Sequence, residues 1–341
     1  PGVYRTDYLR HMGRKPEDRG VDAILISHAH MDHVAYLNHL RDDIPLHMSP
    51  GTHAILKAIQ ETSQAPFDDY LEYTRSFEIR EKKKGEGYAR IRNDPIRRPV
   101  NIDTPSQKFK IGDTEILPLP VDHSVPGSVS YLIHTTQGTI LYTGDLRFHG
   151  YVEQETREMI EKAKSEGVDL LLTEGTRVDQ QRGTTESDVH DNASELVKNT
   201  RELAVVNFPE RDLARFLTFH RIAVSTGRKL VIGFKQAKLL EEYQNVSSDY
   251  PSIDDPNILL YAERKDWGTL GRDDIQSNIP GLCIPREVCD QDYEAWEQAY
   301  LHRENCVSHR DLLDHSQYMF YCNYFQINEL IDVKPKPGSI Y

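Results

Sequence analysis

The chain has 341 residues, 38% hydrophobic and 28% charged, with a net charge of −13. A mean hydropathy of −0.62 excludes a bundle of membrane-spanning helices and predicts a soluble globular protein of about two domains at roughly 150 residues each. The acidic balance argues against an evenly basic surface for a polyanion, although a local field or bound divalent ions can override the average.

Residues 1–20 contain no apolar signal core, which predicts a cytoplasmic protein without a membrane partner; the first residue is Pro, the pattern of a fragment. Residues 21–26, VDAILI, form a short β-branched run, expected as a buried strand that stops at Ser27 where histidines begin. DHVAYLNHL follows with helical spacing, then IPLHMS as a strand and PGTHAILKAIQETS as a helix opened by its Pro-Gly. Residues 80–98 hold eight Lys or Arg against three Asp or Glu. A solvated loop is the expected form, a phosphate-contacting arm the alternative. KFKIGDTEILPLPV turns at Gly112-Asp113, and SVSYLIHTTQGTILYTGDL repeats the pattern around Gln137-Gly138. His123 and Asp145 therefore each follow a strand.

VEQETREMIEKAKSEG reads as a charged helix, and VDLLLTEGT as a buried strand ending at Glu174. Beyond residue 179 the texture becomes an alternation of helix and strand, through LAVVNF, KLVIGF and NILLYAE, which predicts an α/β domain with a largely parallel sheet. The polar loop 179–187 is the expected boundary, giving domains 1–178 and 179–341. Cys283, Cys289, Cys306 and Cys322 include no C-x-x-C pair, so reduced thiols are expected rather than a zinc knot.

The segment Ser27-His28-Ala29-His30-Met31-Asp32-His33 carries the strongest chemical signal. Imidazole and carboxylate suit zinc and similar divalent metals, and four such groups on a strand-to-helix loop can face two directions and hold two ions side by side. A catalytic ion usually takes about three protein ligands, so more must come from elsewhere: His123 in VDHSVPGS and Asp145 in a Thr-Gly-Asp turn, where Gly144 permits close approach. Asp122 is a candidate to orient His123 or Asp32. His134, His149, His190, His220, His309 and His315 fit no ligand spacing.

Together, H-x-H-x-D-H, a His in an H-S-x-P-x-S setting and T-G-D resemble the metallo-β-lactamase superfamily over about residues 21–176. The resemblance implies an αββα sandwich, incomplete at its N-terminus. His28, His30 and His123 would hold one metal, Asp32 and His33 a second, and Asp145 would bridge both. Leu-Thr-Glu-Gly-Thr at 172–176, ESDVHDNASEL and the stretch from Val206 to Arg211 resemble the β-CASP nucleases, the ribonuclease J and cleavage-factor group. This implies that the α/β second domain is an inserted cap and that Glu174 orients a catalytic histidine. Asn207 and Arg211 could contact phosphate; a helix N-terminus explains both equally well. The family's closing histidines, one a general acid and one a last metal ligand, are expected beyond Tyr341.

The expected activity is a metal-dependent ribonuclease using a hydroxide bridged by two divalent ions, Zn or alternatively Mn, with Asp32, Asp145 and Glu174 as catalytic residues. Single-stranded RNA is the expected partner, DNA the alternative. Rival readings are a small-molecule hydrolase of a thioester, lactone or lactam, and a non-catalytic RNA-processing scaffold. A second copy of the chain, in a homo-oligomer, is a further candidate partner.

Overall fold

A computed structural model describes residues 2–176, 183–265 and 291–341; Cys283 and Cys289 lie outside the described residues. The chain divides into two compact units, Pro1–Gly183 and Thr184–Tyr341.

In the first unit, β1 (Ile24–Leu25), β2 (Leu46–Met48) and β7 (Val100–Ile102) form a parallel sheet in the order β1-β2-β7. Between β2 and β7 lie two small pairs, β3 (Glu72–Tyr73) with β6 (Ile96–Arg97) and β4 (Phe77–Glu81) with β5 (Tyr88–Arg92). The second sheet runs β12-β11-β10-β9-β8, built from β8 (Phe109–Ile111), β9 (Thr114–Pro120), β10 (Val129–Thr135), β11 (Gly138–Tyr142) and β12 (Leu170–Leu172). Its first four strands pair antiparallel around the turns the sequence predicts, and β12 joins parallel to β11.

Both faces of this sheet are covered, which is why β9 is almost uniformly apolar. Ile116, Val129 and Tyr131 face Leu25 of the first sheet. Leu117, Leu119, Leu132 and Leu141 pack on Met159 and Ala163 of the helix Glu153–Glu166. The two sheets are also pinned by a hydrogen bond and a ring stack: Tyr131 OH donates to the Ile26 carbonyl at 2.9 Å, and the His47 ring stacks on Phe109.

Several expectations change. The strand at residues 21–26 shortens to β1. The helix after Asp32 is one α-turn, Met31–Val34, continued as a 3-10 turn, Ala35–His39. The helix Pro50–Thr62 forms as expected, with Ser49 accepting from Thr52 N as its cap. Residues 80–98 are no loop, since β4 and β5 form an antiparallel ribbon. β12 is not buried: Leu170, Leu171 and Leu172 are each about half exposed. An apolar run reads as interior, but β12 stands at the sheet's edge with β11 as its one neighbour among the described residues.

The second unit is a five-stranded, all-parallel sheet ordered β13-β17-β14-β15-β16, from β13 (Ala204–Val206), β14 (Lys229–Gly233), β15 (Ile258–Tyr261), β16 (Cys306–Val307) and β17 (Tyr318–Tyr321). Helices Glu186–Asn199, Leu213–Thr226 and Phe234–Gln244 alternate with the strands, and Leu203, Val205, Val231, Leu259 and Phe320 share one core. Cys306 and Cys322 are free. Burial pushes their thiols up to about 12 and about 11, as inert reduced cysteines require.

Candidate metal centre

β1 delivers the chain to the histidine loop, and backbone bonds fix the delivery. Ile26 N donates to the His47 carbonyl and Val129 N to the Ser27 carbonyl, both at 2.9 Å. His28 is fully buried. Its Nδ1 lies 3.1 Å from Ser27 Oγ, which turns Nε2 toward Asp145 Oδ2, 3.8 Å away. That Nε2 is buried and has no hydrogen-bond partner. A buried nitrogen left unpaired costs about 1–3 kcal/mol, and its lone pair suits a cation.

The remaining groups close around it. His30 Nδ1 and His123 Nε2 are 3.0 Å apart, and His123 Nε2 is 3.8 Å from Asp145 Oδ2. One ligand atom from each of His28, His30, His123 and Asp145 lies within 4.8 Å of the others. Tetrahedral zinc with bonds of about 2.0–2.1 Å requires ligand atoms roughly 3.4 Å apart, so the residues fit an ion after small side-chain shifts. On the other side of Asp145, Oδ1 is 3.3 Å from His33 Nε2, which is 3.7 Å from Asp32 Oδ2. Asp145 thus turns one oxygen to each group.

Electrostatics prepare the nitrogens. Burial, then the nearby His123, His33 and His30, hold His28 down to about 2. Burial, then His30 and Arg147, hold His123 down to about 3. Both rings are neutral at pH 7 and offer lone pairs, as metal ligation needs. Burial, with Glu174 and Asp32 close by, raises the Asp145 carboxyl despite the opposing His33.

The Asp145 loop depends on Gly144. Its φ is +58°, and a Cβ there would sit 2.8 Å from Ser27 Cβ, so only glycine lets the turn pass the histidine loop. Glu174 Oε1 accepts from Leu146 N at 2.9 Å, capping the turn that carries Asp145.

Asp122, fully buried, does not orient His123 or Asp32. It accepts from Arg147 Nε at 3.0 Å and from Gly150 N at 2.7 Å, while its own N donates to Thr156 Oγ1 at 2.8 Å. Arg147 N in turn donates to the Asp122 carbonyl at 2.8 Å. The loop carrying His123 is thereby tied to the loop carrying Asp145. A Cβ on Gly150 would fall 2.2 Å from Asp122 Oδ1. Ser27, Arg147 and Thr156 were not singled out from the sequence. Ser27 and Arg147 lie one and two residues from ligands, but a pairing across 25 positions leaves no mark in a linear pattern.

Asn207 and Arg211 belong to the second unit, where Asn207 Nδ2 donates to Tyr341 OH at 3.2 Å. Asp212, rather than either of them, caps the helix Leu213–Thr226 by accepting from Arg215 N. Of the histidines set aside, His190 pairs with Asp191 and His220 with Asp255.

Residues 3–208 match the family described as the beta-lactamase superfamily domain. The chain belongs to this superfamily. Its fold agrees: a crystal structure of a protein of unknown function from Enterococcus faecalis covers 94% of this chain and 63% of its own, with a TM-score of 0.59 at 21% identity. Curated members resembling the chain are named ribonuclease J. That of Pyrococcus abyssi is 28% identical over 187 residues, covering 52% of this chain and 36% of the relative. That of Mycolicibacterium smegmatis is 23% identical over 262 residues, covering 74% and 41%. The chain thus spans little more than a third of the length of these superfamily relatives. No helix among the described residues is long and apolar enough to cross a membrane.

Proposed function

We propose that the protein is a two-metal phosphodiester hydrolase acting on single-stranded RNA, with residues 1–178 as the catalytic core and 179–341 as a β-CASP-like cap; the relatives' name, ribonuclease, supports RNA as the polymer. The convergence of His28, His30, His123 and Asp145 from three separate loops carries this reading. His28, His30 and His123 would hold one ion, Asp32 and His33 the other, and Asp145 both. Zinc fits the imidazole-rich set, with manganese the alternative.

When bound, such ions lower the pKa of water and neutralise charge building on a phosphoryl oxygen. The chain's own groups do the rest. Ser27 holds the His28 ring through Nδ1, and the buried histidines stay unprotonated so that they keep their ligand positions. Glu174 steadies Asp145 through Leu146 N. Asp32, with a side chain 78% exposed, is the carboxylate open to an arriving strand and would act as a catalytic residue from its place beside His33. Asn207 and Arg211 would contact phosphate.

Two measurements test this. Elemental analysis of the purified protein should find up to two equivalents of zinc or manganese; none would remove the hydrolase reading. Labelled single-stranded RNA, single-stranded DNA and a thioester are then compared as substrates. RNA cleavage abolished by His28→Ala and Asp145→Ala is expected; thioester turnover without nucleic-acid cleavage would replace the reading with a small-molecule hydrolase.

A further inference from the structure

The β4–β5 ribbon stands outside the candidate metal centre, and little of it serves the core. Residues 79–88 and 90–95 are exposed, and Phe77 anchors its base against Tyr8 and His11 of the helix Thr6–His11. A two-stranded hairpin with water on both faces is marginal by itself. Its charge runs against the molecule: residues 77–92 carry six Lys or Arg against three Glu in a chain of net charge −13.

Those cations are arranged and available. The register pairs Phe77 with Arg92, Ile79 with Arg90 and Glu81 with Tyr88, so Tyr88, Arg90 and Arg92 share one face. They recur every two residues, about 6.8 Å. The Arg90 guanidinium lies 3.6 Å from the Phe77 ring centroid, which holds it flat against the ribbon. Tyr88 is 68% exposed. Lys82, Lys83 and Lys84 cross the tip, and neither they nor Arg92 has a carboxylate partner among the described residues. At the root of the same ribbon lies a cavity of about 510 Å³ whose walls include Arg10, His11, Ser76, Phe77, Ile79 and Asn93. Three carboxylates also line it: Asp7 is neutralised by Arg5 and Glu78 by Arg80, while Asp42 shares the wall with Arg5 and Arg10.

We infer that the ribbon is a binding surface for single-stranded RNA, with the Lys82–Lys84 tip and Arg92 on the backbone, a base on Tyr88, and the root cavity accepting a base further along. A row of cations beside an exposed aromatic is the pairing that sequence-tolerant strand binding uses, phosphate attraction for affinity and stacking for the bases. The inference rests on the ribonuclease reading but concerns a separate surface.

The test measures binding of a labelled 20-nucleotide single-stranded RNA to the 341-residue chain by fluorescence anisotropy, with EDTA present to stop cleavage, from 50 to 200 mM salt. For K82A/K83A/K84A the slope of log affinity against log salt should fall by about 2, roughly 0.7 for each phosphate no longer neutralised. Tyr88→Ala should lose about fivefold in affinity and Tyr88→Phe should keep it. Turnover of bis(p-nitrophenyl) phosphate should match wild type in every variant, since none touches the metal centre. Unchanged affinity and slope in the triple-lysine variant, from a wild type that binds and cleaves RNA, overturns the inference and leaves the ribonuclease reading standing. A wild type that neither binds nor cleaves RNA overturns both. Equal displacement of the RNA by polyglutamate identifies a general polyanion or protein surface and overturns the assignment to RNA.

Discussion

Replacing Asp122 separates the role of tying two ligand loops together from that of ligating metal. The carboxylate is fully buried and accepts from the Arg147 guanidinium at 3.0 Å and the Gly150 amide at 2.7 Å, with the Arg147 side chain itself only 10% exposed. Removing one partner of a buried pair costs about 3–5 kcal/mol, so Asp122→Ala should lower the unfolding free energy of the first unit by about that much. Asp122→Asn keeps the shape and one acceptor and should cost about 1–3 kcal/mol, the worth of one charged hydrogen bond. If the clamp sets the spacing between His123 and Asp145, even the milder change should weaken zinc by about 10–100-fold, as loss of an outer ligand support typically does. Urea unfolding of the chelated protein gives the first quantity, and competition with a chromophoric chelator the second. An Asn variant that binds zinc within twofold of wild type would refute the reasoning and reduce the pair to a fold-stabilising contact.

Acid should destabilise the metal-free protein early. His28 and His123 titrate near 2 and 3 when folded but near 6.5 when unfolded, so the unfolded chain takes up two more protons below that pH. Stability contributed by the neutral rings is complete above about pH 6.5 and falls with pH by up to about 2.7 kcal/mol per unit between roughly pH 6 and 4. Denaturant midpoints across this range check the slope, which His28→Asn should halve. Gly144→Ala should cost about 1–2 kcal/mol for its left-handed backbone alone, and more through its contact with Ser27. Its zinc affinity should drop, and wild-type affinity would show that the turn has room. Ser27→Ala removes the partner of His28 Nδ1 and should weaken zinc by about tenfold with little change in thermal midpoint. An unaltered zinc constant would mean that packing alone sets the ring.

The groups that could ligate a metal stood out because chemistry and position coincide in a line of text. His28, His30, Asp32 and His33 lie within six residues on one loop, and His123 and Asp145 each follow a strand whose alternation is plain. The same holds for the α/β second unit, whose apolar runs are short, separated by amphipathic stretches, and buried on both faces. Apolar runs alone misled at β12, because three leucines look the same in a core and at the edge of a sheet. Charge alone misled at residues 80–98, where the pairing of Phe77 with Arg92, and of each residue after it, makes a ribbon of what composition describes as a loop.

Local order along the chain determined which groups could ligate a metal and where strands would end, since both depend on neighbours a few residues apart. Only the folded arrangement decided that Asp145 offers an oxygen to each side, that Ser27 Oγ lies against His28 Nδ1, and that Asp122 accepts from Arg147 and Gly150. Most of these contacts join residues about 25 to 120 positions apart, and their geometry comes from two sheets packed face to face, a relation with no period in the sequence.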